Sequence, residues 1–172
     1  RRVRETVGDQ FVIGLAVSVD EGVAPALQIE ELCQIVEWHD ERQLMDYVTC
    51  GTGSYFSFDK IIPTYQQPDS LGVPYAERLR HVVRHAKVQA ESHVRTPASA
   101  EAVVASGQAD MVSIVRGQIA DPHLVNKALT GRADAAGLVA RVSGIPTRVA
   151  SLLSGTLGGT RGRRRTSVFS DR

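Results

Sequence analysis

Hydrophobic positions along the first 130 residues follow two periods that alternate. Residues 11–19 form a mostly apolar run, which is typical of a strand buried on both faces. Residues 28–42 then carry apolar side chains three and four apart, the spacing of an amphipathic helix. The same alternation predicts further strands at 45–50, 87–90 and 111–115, and further helices at 75–85, 97–106 and 122–129.

Residues that start and stop helices support these boundaries. Thr96 precedes Pro97, a typical N-cap followed by a first-turn proline, and Asp121 is placed to cap the last helix. Gly8 and Gly107 each follow a helical segment, where a left-handed glycine commonly ends a helix. The connection at 51–74 is long and rich in proline and glycine, as functional loops often are.

A chain that alternates strand and helix four times forms a parallel sheet with right-handed crossovers. A doubly wound sheet and part of a (β/α)8 barrel both fit this order. Polar residues at the predicted strand ends favour the barrel, because barrel enzymes build their sites at that edge; these are Ser18, Asp20, Thr49, Cys50, 91–93 and Arg116. The predicted fold is α/β, a partial (β/α)8 TIM barrel in residues 1–131, about half of the ~200–250 residues of a complete one.

The distribution of charged residues also changes near residue 131. From Gly131 onwards there are eight Arg and two Asp, a net charge of +6, whereas the whole chain carries +1. Residues 132–172 are also rich in Gly, Ser, Thr and Ala and lack periodicity, which predicts a disordered basic tail. A nucleic-acid-binding arm is the alternative; we expect no nucleic acid because no aromatic residues interleave with the arginines. A change of reading frame near Arg132 is a further hypothesis for the abrupt change.

Composition narrows the class of protein. No apolar run approaches the ~18 residues of a membrane span, and the N-terminus lacks an apolar signal core, so a cytoplasmic location is expected. The two cysteines, Cys33 and Cys50, form neither a disulfide framework nor a metal-ligand spacing. Since a four-iron cluster needs four thiolates, no such cluster and no metal site are predicted.

The most informative chemistry lies where the last predicted strand ends on Arg116. A bidentate guanidinium beside free backbone N–H groups at a strand-to-helix turn suits a phosphate group. The alternative is a surface arginine paired with Asp110 or Asp121. Cys50 ends another strand and either faces a site or is a small buried hydrophobe.

Five blocks of sequence resemble the flavin barrel of the old yellow enzyme superfamily of NADH:flavin oxidoreductases. The most specific read Ala-Ser-Gly-Gln-Ala-Asp-Met-Val-Ser-Ile-Val-Arg at 105–116 and Ile-Ala-Asp-Pro-His-Leu at 119–124. Further blocks lie at 2–9, 46–56 and 85–97, and the first of these is weak alone. The likeness is greatest to multidomain members such as trimethylamine dehydrogenase, 2,4-dienoyl-CoA reductase and N-methylproline demethylase-like enzymes. It implies that residues 1–131 are the C-terminal half of the barrel, strands five to eight.

The resemblance implies an FMN-binding oxidoreductase that transfers hydride through the flavin, with a small-molecule substrate and NAD(P)H as partners. It places the FMN phosphate between two turns. One turn supplies backbone donors from Ser92 and His93, and in the other Val115 and Arg116 form a clamp. It also puts Cys50 on the flavin or substrate side of the pocket. Catalytic residues are not assigned. The aromatic side chains of the long connection are expected to wall a substrate pocket or to cover the barrel top; these are Tyr55, Phe56, Phe58 and Tyr65.

Two departures from the family pattern bear on this assignment. Many relatives place a Gly-Arg pair where this chain has Ser92 and His93, and His93 is then either a phosphate donor or a solvent-facing residue. Ala16 stands where family members commonly carry an arginine that faces the flavin. The alternative function is an inactive truncated product, at most a phosphate- or FMN-binding module; an aldolase- or isomerase-like barrel fits the architecture but not 105–124. Half a barrel has open sheet edges, so self-association is also predicted.

Overall fold

The described residues contain four strands, which form one parallel sheet whose spatial order is the order of the chain. In the computed structural model, which describes residues 1–64 and 66–133, the strands are β1 (Gly14–Ser18), β2 (Tyr47–Gly51), β3 (Lys87–Ala90) and β4 (Met111–Val112). The register places Ala16 beside Thr49, Thr49 beside Gln89, and Gln89 beside Met111. All carboxyl ends therefore meet at one edge of the sheet.

Within the described residues, seven helices precede, separate and follow these strands. They are α1 (Arg2–Val7), α2 (Ile29–Glu41), α3 (Phe58–Ile61), α4 (Val73–Val82), α5 (Pro97–Ala105), α6 (Val115–Ala120) and α7 (Leu124–Leu129). Thr96 caps α5 through a reciprocal capping box with Ser99, and Pro97 occupies the first turn, as the sequence predicts. The alternation gives the predicted α/β architecture.

The two faces of the sheet differ in burial. One face packs on the helices and forms the core, with Val48, Cys50 and Val88 fully buried. The other face carries Gly14, Ala16, Thr49 and other small or polar residues that are exposed or half-buried. In a closed barrel the second face lies inside. Since β1 and β4 each have one neighbour in the described sheet, both edges are open, and self-association through them stays a prediction.

Aspartates fix the amino ends of the strands. Asp40, at the end of α2, is 1% exposed and accepts backbone N–H bonds from Arg84 (2.6 Å) and Ala86 (2.7 Å), with longer ones from His85. Asp46 accepts the N–H of Ile13 at 2.6 Å. Asp110 does the same for Val88 at 2.9 Å. This edge of the sheet is held by buried or half-buried carboxylates, which is a structural role.

Several predicted boundaries need correction. The first strand is shorter than 11–19 and is not buried on both faces, because β1 is an edge strand and its inner face has no cover in the described residues. The last strand ends at Val112, and Val115 begins α6 instead of ending the strand. The last helix starts at Leu124 with His123 as its N-cap; Asp121 accepts the His123 N–H in the turn before it.

Gly107 ends α5 in the left-handed region, with φ of +77°, and an added Cβ would meet nothing within 4 Å. Replacing Gly107 with Ala therefore isolates the backbone cost of that conformation, about 1 kcal/mol of unfolding free energy. Urea unfolding followed by circular dichroism measures it. An unchanged midpoint would contradict the expectation.

Helix α2 carries Trp38, which is 49% exposed. The Arg42 guanidinium carbon lies 4.2 Å from the centroid of its ring, a cation–π contact. No helix within the described residues is both long enough and apolar enough to cross a membrane. The predicted disordered tail lies outside the described residues beyond position 133, as does Tyr65.

Candidate functional site

A cavity of about 270 Å³ opens at the carboxyl edge of the sheet, between the turns that follow β3 and β4. Four of the five residues predicted to bind the cofactor line it: Ser92, His93, Val115 and Arg116. Arg95, Glu91 and the apolar segment Ile61, Ile62 and Pro63 complete much of the wall. The structure therefore brings the two turns together around one space.

Arg116 is held by two neighbours. Its Nη1 donates to the Pro63 carbonyl at 2.7 Å, and its Nη2 lies 3.4 Å from Nδ1 of His93. The predicted alternative, an ion pair on the surface, is not the arrangement observed: Asp110 pairs with Arg80 and Asp121 with Lys127. Burial, followed by the charge of Arg95, lowers the pKa of Arg116. The remaining N–H donors of this half-buried cation are available to a ligand.

His93 is buried, 4% exposed, so the solvent-facing alternative is wrong. Burial, and then the positive charges of Arg95 and Arg116, lower the pKa of His93 to about 4. The imidazole is therefore neutral at physiological pH and can accept from Arg116 at Nδ1. Its Nε2 is buried without a hydrogen-bond partner among the described residues.

The turn after β3 has an uncommon backbone. Ser92 and His93 have φ of 69° and 73°, in the left-handed region that favours glycine. Their carbonyls accept bonds from Gly72 N–H (3.2 Å) and Ser70 N–H (3.0 Å), and the Ser92 hydroxyl accepts one from Thr52. These bonds hold the strained turn and leave the N–H groups of Ser92 and His93 without an acceptor in the described part of the chain.

The turn after β4 supplies the second set of donors. Val115 and Arg116 are the first two residues of α6, so their N–H groups precede the first intrahelical hydrogen bond. Arg95 adds a second guanidinium to the cavity wall, with its Nε donating to Asp69 at 3.0 Å. Residues with two guanidiniums and unpaired amides line one cavity, which favours an anion with several oxygens, such as a phosphate monoester.

Cys50 is the predicted site residue that the structure places elsewhere. It is fully buried in the core with its Sγ 4.0 Å from the Gly72 carbonyl, and it does not line the cavity. Strand alternation explains this, since Cys50 points with Val48 towards the helices while Thr49 faces the inner side. Burial raises the pKa of Cys50 to about 12, so its thiol is uncharged.

The aromatic side chains at the start of the long connection do not line this cavity. Tyr55 is 89% exposed and Phe56 nearly as exposed, and their place in a substrate pocket or over the barrel top stays a prediction. The wall comes instead from Ile61, Ile62 and Pro63, which the sequence did not single out. Arg95 was also missed, although its place in the predicted turn before α5 was a usable signal. Pro63 acts through its carbonyl, for which the sequence carries no sign.

Comparison with known proteins decides the family. The sequence profile of the NADH:flavin oxidoreductase / NADH oxidase family matches residues 1–135. The chain belongs to this family. As a member of the NADH:flavin oxidoreductase family, it is 33% identical over 132 residues to the NADH oxidase of Thermoanaerobacter brockii, covering 77% of this chain and 20% of that protein.

Another relative is the N,N-dimethylglycine/sarcosine dehydrogenase of Chromohalobacter salexigens, 28% identical over 130 residues, which cover 74% of this chain and 19% of the relative. The chain of this NADH:flavin oxidoreductase family member therefore spans about a fifth of the length of the curated relatives it matches.

Solved structures confirm the fold. A 2-naphthoyl-CoA reductase in complex with 2-naphthoyl-CoA matches with a TM-score of 0.70 and 22% identity, over 96% of this chain and 25% of that one. A 6-hydroxypseudooxynicotine amine oxidase (HisD) from Pseudomonas geniculata N1 matches with a TM-score of 0.68 and 19% identity, over 89% of this chain and 22% of that one. The predicted partial (β/α)8 barrel is confirmed.

Proposed function

We propose that this chain is the FMN-phosphate-binding part of a flavin-dependent oxidoreductase. The observation that carries the proposal is the position of Arg116, half-buried at the cavity and held by the Pro63 carbonyl and His93. The amides of Ser92, His93, Val115 and Arg116 adjoin the same space. Membership of a flavin oxidoreductase family supports FMN as the phosphate ester.

The electrostatics fit a dianion. Arg116 and Arg95 contribute positive charge. Their partial burial strengthens the attraction for a phosphate, because solvent screens charges less in a partly buried site. Neutral His93 adds no charge but keeps Arg116 in place through Nδ1. The backbone turns would contribute fixed N–H donors that need no reorganisation when the ligand arrives.

When bound, FMN would supply hydride-transfer chemistry, with a small-molecule substrate and NAD(P)H as proposed partners. The residues of this chain would anchor and orient the phosphate end, and Ile61 and Ile62 would shield that end from water. We assign no catalytic residue. A cytoplasmic location and the absence of a nucleic-acid partner stay predictions.

Replacing Arg116 with Ala should weaken FMN binding by about 30- to 150-fold, because a hydrogen bond to a charged group is worth about 2–3 kcal/mol. Quenching of FMN fluorescence on titration with the full chain measures the dissociation constant.

Arg84 provides the matched control, since it is exposed in the turn before β3, at the opposite edge of the sheet. Arg84→Ala should bind FMN as the wild type does. Equal FMN affinity in the wild type and Arg116→Ala would overturn the proposal. If FMN binds but NADH does not bleach its absorbance near 450 nm, the chain is a binding module without catalysis of its own.

A further inference from the structure

Glu91 is an acid at a site built for an anion. It follows β3 directly and belongs to the cavity wall, where it is the only acidic residue among the described ones. Its carboxylate lies over Gly51 on the inner face of the sheet: a Cβ added at Gly51 would stand 2.6 Å from Oε1. The carboxylate therefore occupies space that a side chain at position 51 would fill.

This carboxylate is half-buried and unpaired. Within residues 1–64 and 66–133, neither of its oxygens accepts a hydrogen bond. Burial raises its pKa, and no neighbouring cation opposes that effect. The aspartates at the amino edge differ, because each accepts backbone N–H bonds there. A half-buried carboxylate without a hydrogen-bond donor lowers the stability of the folded chain. Both oxygens of Glu91 are therefore available to accept hydrogen bonds from a ligand.

A phosphate leaves part of this cavity for the group esterified to it. With the phosphate oxygens on Arg116 and the turn amides, the adjoining carbon chain would run along the rest of the wall, which includes Glu91 and the hydroxyl-bearing Ser113. A carboxylate repels the phosphate but accepts hydrogen bonds from hydroxyl groups strongly. The wall therefore suits a phosphate ester whose chain carries hydroxyls.

We propose that Glu91 binds the hydroxyl groups of the polyol chain next to the phosphate, and so selects a phosphorylated polyol over a plain alkyl phosphate. The inference rests on the proposed function, since it needs the phosphate at Arg116. It assigns the acid a role in specificity and none in the reaction.

The test compares two esters of equal carbon number, ribitol 5-phosphate and n-pentyl phosphate, by isothermal titration calorimetry on the full chain at pH 7.5. The quantity measured is the ratio of their dissociation constants. In Glu91→Val the preference for ribitol 5-phosphate should fall by about tenfold or more, the equivalent of one charge-assisted hydrogen bond. Glu91→Gln keeps one acceptor oxygen and should lose part of the preference, and it replaces the valine variant if that chain does not fold.

Glu101→Val is the matched control, because Glu101 is exposed on α5 and does not line this cavity; its ratio should equal that of the wild type. If Glu91→Val binds both esters with the wild-type ratio, even when both affinities rise, the role of Glu91 is overturned while the phosphate site stands. If the wild type binds neither ester nor FMN, the proposed function fails and this inference with it.

Discussion

Asp40→Ala should lower the free energy of unfolding by about 3 kcal/mol. The substitution removes the acceptor of three consecutive backbone N–H groups, those of Arg84, His85 and Ala86, in the turn that enters β3. Each buried donor left without a partner costs about 1–3 kcal/mol, and water entering the turn offsets part of the sum. Urea unfolding monitored by circular dichroism at pH 7 gives the value.

The matched control is Asp9→Ala, since Asp9 is exposed and should change stability by less than about 0.5 kcal/mol.

The stabilisation by Asp40 depends on pH. Burial alone would raise the pKa of Asp40, but the backbone N–H donors outweigh it and the pKa in the folded chain is lowered. The stabilisation that Asp40 provides is therefore fully present above the unfolded pKa of about 3.9 and is lost as pH falls through the folded value. The stability of Asp40→Ala should fall less steeply below about pH 4; an equal acid dependence in both proteins would contradict this account.

Gly72→Ala should be about as damaging, at about 2–3 kcal/mol, for a steric reason. A Cβ at this position would lie 2.1 Å from the Glu91 carbonyl oxygen, so backbone must move. The same residue donates its N–H to Ser92 and braces the turn beside the cavity. FMN affinity and unfolding free energy should therefore fall together, the first measured by fluorescence and the second by urea titration.

Gly51→Ala tests whether a Cβ that crowds a side chain costs less stability than one that crowds the backbone. Its added Cβ would meet the Glu91 carboxylate, the far end of a flexible side chain that can rotate away. The loss of stability should be about 1 kcal/mol or less. Equal losses at Gly72 and Gly51 would show that the close approach to the Glu91 carbonyl is not what requires glycine.

The periodic and capping signals predicted much of this fold. Lys87–Ala90 is a strand, as the alternating order of elements predicts, and Thr96 with Pro97 opens α5 as expected, because these are local preferences. The pairing of the turn at Ser92 with Arg116 came from the family resemblance and the parallel order of strands. Their assignment to FMN stays a prediction.

Other features were beyond local reasoning. Alternation shows that Thr49 and Cys50 face opposite sides of β2, but it does not say which side is the core, so Cys50 was assigned to the pocket. The burial of His93 depends on Arg116 and on a loop more than twenty residues away in sequence. Asp40 illustrates the same limit: a polar residue late in a helix gives no sign that it accepts bonds from a distant turn.

Trp38 determines what fluorescence can report about this protein. It is the only tryptophan of the chain, it stands on α2 under the Arg42 guanidinium, and it does not line the cavity. Emission excited at 295 nm is consequently a probe of the end of α2, next to Asp40, and it records unfolding of that helix. A ligand at the cavity would leave its direct surroundings unchanged, so in the flavin-free chain this emission follows the unfolding of α2 and not the filling of the site.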